Sequence, residues 1–326
     1  MALRTKRKSV VEHLNTYVGN DQPAQLNWRV LFTDVFRKHT LDEAEEIFIA
    51  GTKNTTPATK DITSSWPHPW LYSRVLVACV LSFAILLCAT VLFDNIISIP
   101  GVIMLGSFAI PVATLVLFME MNVFRDVSFY EIAKFFLIGG CASILLTLIL
   151  NSYFHTEKSA LLWAISIGII EEMAKLLMII FFVRKTPYRS ILAGLLIGAS
   201  VGAGFAAFES AGYALRMLVE GTGDEMLIVI GVRALLAPGG HVAWAAITGA
   251  ALMIAAQRGP ISAKLMFKPE FTRLFIIPVV LHAIWDMPWC RYLGCALLII
   301  FVWIVVMILF NMGLGEAEKI AKETTE

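Results

Sequence analysis

Eight stretches of this 326-residue chain are each long and apolar enough to cross the hydrocarbon core of a bilayer, which takes about 20 residues of helix. They run roughly over 71–93, 97–118, 131–153, 159–183, 191–218, 230–256, 271–288 and 292–314, some of them admitting a few polar residues. Inside hydrocarbon a backbone has no water to satisfy its N–H and C=O groups, so each stretch must close its own hydrogen bonds as a helix. The expected fold is therefore all-α, a polytopic transmembrane helical bundle of about eight spans. Charged residues at 16% fall well short of the roughly 25% of soluble domains, in keeping with burial in lipid. A net charge of +1 supplies no field that would draw nucleic acid, so the lipid bilayer is the first expected partner.

The loops alternate in basic content. Arg4, Lys6, Arg7, Lys8, Arg29, Arg37, Lys38, Lys53, Lys60 and Arg74 precede or open the first span, and the loop after that span has no Lys or Arg. Arg125 and Lys134, then Arg184, Lys185 and Arg189, then Arg258, Lys264, Lys268 and Arg273, and finally Lys319 and Lys322 continue the basic side. Lys158, Arg216 and Arg291 are the sparse basic residues of the other side. The positive-inside rule then places both termini in the cytoplasm, in agreement with an even number of spans. The basic start, Met1 to Ser9, is followed by polar sequence, so no cleavable signal peptide is expected and the first span directs insertion.

Residues 1–70 read as a cytoplasmic leader and linker, 71–314 as the membrane domain and 315–326 as a cytoplasmic tail. In the leader, Trp28, Leu31, Phe32, Val35 and Phe36 recur at helical spacing and predict an amphipathic helix. Thr40 and Glu43 form a capping box that opens a second short helix, with Gly51 where it should stop. Residues 52–65 predict a flexible linker, and Trp66 and Trp70 mark the water–lipid boundary. Cys79, Cys88, Cys141, Cys290 and Cys295 include no CxxC pair, so neither a disulfide framework nor a zinc–thiolate site is expected. Cys290 and Cys295 can pair in an oxidising compartment, although free thiols are the simpler expectation. Gly194, Gly198, Gly202 and Gly212 fall on one arc of the fifth span, together with Glu209, and predict close helix packing there.

The fourth span carries Glu171, Glu172 and Lys175 in the middle of an apolar helix. Ionisable groups at that depth are costly and mark function by default. Glu171 and Lys175, at i and i+4, can satisfy each other as a structural pair, which leaves Glu172 unexplained. Two adjacent carboxylates at low dielectric repel, which suits one of them to hold or take a proton. The fifth span adds Phe205 and Glu209, the sixth His241 after Pro238-Gly239-Gly240, and the seventh His282 and Asp286. With a rise of about 1.5 Å per residue, the three glutamates and two histidines all fall in the outer half of the bilayer, where they can converge.

The order EExxK (Glu171, Glu172, Lys175), FxxxE (Phe205, Glu209), a histidine opening the next span (His241) and one in the span after (His282) resembles the PrsW family of intramembrane proteases. That family is itself distantly similar to the CAAX prenyl endopeptidases. Glu120 to Asp126 (EMNVFRD) and His39 to Gly51 also look like PrsW-type sequence. The resemblance implies hydrolysis of membrane-tethered, single-span substrates such as anti-sigma factors, near the extracytoplasmic face of a bacterial cytoplasmic membrane. By the same resemblance Glu171, Glu172, Glu209, His241 and His282 are the catalytic candidates. Glu172 is the first choice for the general base that activates water, with Glu171 tied to Lys175 and positioning it, but the sequence leaves open which of the two is the base. His241 and His282 would orient water or stabilise the oxyanion. Glu209 would share a proton or hydrogen-bond a histidine, Asp286 would fix the tautomer of His282, and Arg233 would bind substrate carbonyls.

Alternatives stay open at this stage. No cofactor is the first expectation, but Glu172, Glu209, His241 and His282 also form a plausible zinc set, although no HExxH motif is present. Gly221-Thr222-Gly223-Asp224 spells the GxGD of aspartyl intramembrane proteases but lies in a polar loop without a partner aspartate, and no GxSxG serine sits in a span. A proton-coupled transporter would use the same Glu/His chain and a helix broken near Pro238, yet would be expected to show internal repeats. A membrane scaffold accounts for the glycine stripe but not for the carboxylates. Oligomeric state is not legible.

Overall fold

The computed structural model describes residues 9–20, 22–52, 54–154, 159–290 and 292–325, and among these every regular element is helical. The leader begins with α1 (Val10–Val18), opened by a Ser9–Glu12 capping box that the periodicity did not reveal. The predicted amphipathic helix shrinks to a single turn, α2 (Val30–Thr33). Val30 and Leu31 are buried, but Phe32 and Phe36 are 62% and 91% exposed, so the stripe has no surface to pack on beyond its first turn. Its continuation is replaced by a bend in which Arg37 pairs with Asp34. The second helix, α3 (Leu41–Phe48), forms as expected, with Thr40 and Glu43 capping it and Gly51 in the left-handed region just beyond.

Among the described residues, six helical segments are long and apolar enough to span a membrane: Leu71–Phe93, Ile96–Met121, Phe129–Phe154, Ile191–Glu220, Gly223–Ala256 and Leu293–Thr324. They contain α4 (Leu71–Phe93), α5 (Ile99–Met121), then α6 (Phe129–Lys134) and α7 (Gly140–Phe154) joined through a π-helical turn over Phe135–Gly139. Two further helices share the bundle: α8 (Ala160–Val183), and, after α9 (Ile191–Glu220), α10 (Gly223–Leu236) and α11 (His241–Ala256), α12 (Pro269–Trp285). The first carries three mid-helix charges and the second is only 17 residues long. The last helix, α13 (Tyr292–Thr325), continues without a break through the expected tail. Of the basic residues used for topology, Arg4, Lys6, Arg7, Lys8, Lys53, Lys158 and Arg291 lie outside the described residues.

The centre of the bundle is α9 against α11, and glycine decides how close they come. A Cβ on Gly198 would strike the Ala245 carbonyl, one on Gly202 the His241 carbonyl, and one on Gly249 the Gly194 carbonyl. Gly212 meets nothing within 4 Å, so the packing stripe is three glycines long on α9 rather than four. On its other side, Gly204 meets the π-helical turn at Phe136 and Gly140, backbone against backbone. The predicted break at Pro238 is real: a 3₁₀ turn over Ala237–Gly239 separates α10 from α11. The GxGD-like tetrapeptide is a helix start, with Thr222 and Glu225 forming the capping box of α10.

One end of the bundle gathers the leader and much of the basic sequence. Glu316 accepts from the Ile191 N–H at 2.7 Å and lies 3.6 Å from Arg258, joining the ends of α9, α11 and α13. Glu120, at the end of α5, accepts from the N–H groups of Trp70, Leu71 and Tyr72 at 2.8, 2.8 and 2.9 Å and so caps α4. Trp70 is buried and stacks on His39 at 3.7 Å, which binds α3 to the start of α4 instead of leaving the indole free at a lipid boundary.

Candidate active site

Glu171, Glu172, Glu209, His241 and His282, from four separate helices, converge with Lys175, Phe205, Arg233 and Asp286 on one site. Glu172 and Lys175 are wholly buried and paired at 2.6 Å, so the lysine takes its partner at i−3 rather than Glu171 at i−4, the pairing expected from spacing. The Lys175 ammonium also donates to His241 Nδ1 at 2.8 Å and sits 4.5 Å above the Phe205 ring, a cation–π contact. Because Nδ1 of His241 is an acceptor, its Nε2 carries the proton and donates to Glu209 at 3.0 Å. Glu209 is held in turn by Arg233, whose Nε donates to Ser210 at 2.9 Å. Arg233 is thus engaged by α9 and lies over the Tyr213 ring.

His282 is set in the same way. Its Nδ1 donates to Glu172 at 2.8 Å, leaving the Nε2 lone pair facing Glu171 at 3.6 Å and Asp286 at 3.5 Å. Glu172, not Asp286, therefore fixes the ring. Trp244, which sequence reasoning missed, stacks on His282 at 4.6 Å and meets His241 edge-on at 5.1 Å. Its position one turn after His241 was the only available signal. Among the described residues, Glu171 Oε2, Glu172 Oε2 and Trp244 Nε1 are buried without a hydrogen-bond partner.

Of the adjacent pair on α8, Glu171 is the one that reaches open space. A cavity of about 260 Å³ is lined by Glu171, Glu209, Arg233, His241, His282 and Asp286, with Gly240 and several aromatic rings completing its wall. Glu172 is not on that wall. Two larger hollows, of about 840 and 420 Å³, lie among leader residues and the other ends of α9, α11 and α5, away from this cluster.

The donor set suits a cation in part. Ligand atoms of Glu171, His241 and His282 fall within 4.8 Å of one another, and each imidazole has a carboxylate behind its opposite nitrogen, as metal-bound histidines do. Four carboxylates face only Lys175 and Arg233, so full ionisation leaves an excess of two negative charges for a divalent cation or protons to neutralise. Against this, Lys175 already donates to the His241 lone pair that a metal would need. The set that converges also differs from the one expected from sequence, since Glu172 and Glu209 stand behind the rings rather than between them.

No curated protein and no solved structure matches the chain. The model of the PrsW family intramembrane metalloproteases matches residues 129–312, more than half of the chain and all of the helices that carry the cluster. With its helices apolar enough to span a bilayer and its carboxylates and imidazoles gathered at their centre, this multi-pass membrane protein belongs to the PrsW family of intramembrane proteases.

Proposed function

We propose that the chain is an endopeptidase that hydrolyses a membrane-tethered, single-span protein, of the anti-sigma-factor kind, in the cavity enclosed by α8 to α12. The observation that carries this is Glu171, whose unpartnered Oε2 faces both imidazoles at the edge of that cavity. In this reading Glu171, rather than Glu172, takes the proton of the attacking water as its oxygen adds to the peptide carbonyl carbon, and passes that proton to the departing amine. Glu172 holds His282 with Nε2 toward the water, while Lys175 neutralises Glu172. Gly240 offers no side chain to cap α11, so the first-turn N–H groups of that helix remain available to the developing oxyanion. Glu209 and Arg233 keep His241 in place at the same edge.

A second reading is favoured by the carboxylate behind each imidazole: Glu171, His241 and His282 would hold a zinc ion. Bound there, zinc would supply Lewis-acid polarisation and a water of lowered pKa. Glu172 and Glu209 would then orient the ligand rings, and Lys175 would pair with Glu172 alone.

Counted as spans, α8 and α12 raise the number from six to eight. The first, α8, buries its charges and turns Ile169, Leu177 and Phe181 outward, and α12 turns out Ile276 and Val280, as lipid-facing helices do. An even count, with the leader beside the end of α13, supports both termini in the cytoplasm of a bacterial cell, residues 1–70 acting as a docked leader and the site lying toward the extracytoplasmic side. The deciding experiment reconstitutes the purified chain with a single-span substrate. Glu171→Gln should abolish cleavage while the protein stays folded; cleavage at the wild-type rate by this variant would remove Glu171 from the chemistry.

A further inference from the structure

The turn between α12 and α13 brings two thiols into contact that the proteolytic chemistry does not use. Met287 donates its N–H to the Ile284 carbonyl at 3.1 Å and Cys290 to the Met287 carbonyl at 2.9 Å, so successive reverse turns fold Cys290 back over the start of α13. There its Sγ lies 3.6 Å from the Sγ of Cys295, which also donates to the Cys290 carbonyl at 3.6 Å. Gly294 leaves the space for this: a Cβ at that position would come within 3.2 Å of Cys290 Sγ. Cys290 is part-exposed and can meet a reagent, whereas Cys295 is buried beneath it. The other three cysteines lie along α4 and α7.

We propose that Cys290 and Cys295 form a reversible dithiol–disulfide couple, closing a small covalent ring across the turn that follows Asp286. With a disulfide oxidant, the Cys290 thiolate attacks one oxidant sulfur, forming a mixed disulfide and releasing one thiolate. The Cys295 thiolate then attacks the Cys290 sulfur, the internal S–S bond forms and the second oxidant thiolate leaves. Two protons pass from the cysteines to the released thiolates, and two electrons reduce the oxidant. Sulfurs already in van der Waals contact need only small side-chain rotations to reach bonding distance. The couple stands whether or not the chain cleaves peptides, because it rests on the thiol contact alone. On the orientation proposed above, the turn faces the extracytoplasmic side, where disulfides persist.

The test uses the purified full-length protein in detergent, equilibrated over a series of oxidised-to-reduced glutathione ratios, acid-trapped, alkylated and peptide-mapped by mass spectrometry. The expected result is a linked Cys290–Cys295 peptide, lighter by two hydrogens, that appears in one two-electron transition and disappears with dithiothreitol. Cys290→Ser and Cys295→Ser should each abolish the linked peptide and leave the partner cysteine free or glutathionylated. Full alkylation of both cysteines at the oxidising end would overturn the proposal, as would linkage to Cys79, Cys88, Cys141 or a second chain.

Discussion

Adjacent glutamates on one helix have divided fates here because they point about 100° apart around its axis. Glu172 faces the interior, where its Oε1 accepts from both a lysine and an imidazole, whereas Glu171 faces the cavity with its Oε2 directed at two imidazoles. Substitutions should therefore separate them. Glu171→Gln is expected to lower kcat by about 10²–10⁴-fold, the range for loss of a general base, with thermal unfolding unchanged. Lys175→Met leaves Glu172 buried beside His282 without its cation, and should destabilise the fold by about 3–5 kcal/mol, read by denaturant unfolding in micelles. That these residues form one site was legible, because ionisable groups at lipid depth must find one another. Which glutamate pairs with Lys175 was not, since i−3 and i−4 are both within reach and only packing against α11 and α12 decides. The donors that converge, Glu171, His241 and His282, differ from the set expected from sequence for the same reason: spacing gives helix faces, but not which nitrogen of a ring each carboxylate takes.

At the scale of helices, α9 and α11 set the precision of the site. A Cβ at Gly202 would strike the carbonyl of His241 itself, so a side chain there pushes that imidazole. Gly202→Val should cost about 1–3 kcal/mol or more through overpacking and reduce cleavage disproportionately by moving His241. Gly212→Ala, with open space around it, should leave both unchanged, and a paired assay of activity and unfolding checks the contrast. Most of the long helices were readable from hydropathy because lipid imposes continuous apolar runs. The first predicted leader helix was not, because an aqueous helix needs a partner surface, and the Trp28–Phe36 stripe finds one only at Leu31. The partners of the stripe were equally hidden: Gly249 on α11 and Gly140 beside the π-helical turn belong to other segments, and only folding places them opposite α9.

The whole molecule joins a compact cluster of carboxylates and imidazoles to a leader clamped at one end. Glu120 is the clamp, so Glu120→Ala should free the N-terminal turn of α4 and speed limited proteolysis between residues 50 and 66; loss of such a cap costs typically about 1 kcal/mol. Stringent chelation separates the two chemistries. Cleavage by Glu171 as base should persist after metal removal confirmed by elemental analysis, and loss restored by zinc alone would make Glu171 a ligand. The first span stands apart from this centre. No residue in the most apolar stretch of α4 is buried, although α4 rests on α5 and is fastened at its start by the Glu120 carboxylate. A rod fastened at its start, packed along one side on α5 and open on the rest of its surface to acyl chains, is the part of the protein most exposed to hydrophobic mismatch. Thinner or thicker bilayers should therefore tilt this outrigger first, and strain would reach the leader through its anchored tip before it reached the buried carboxylates.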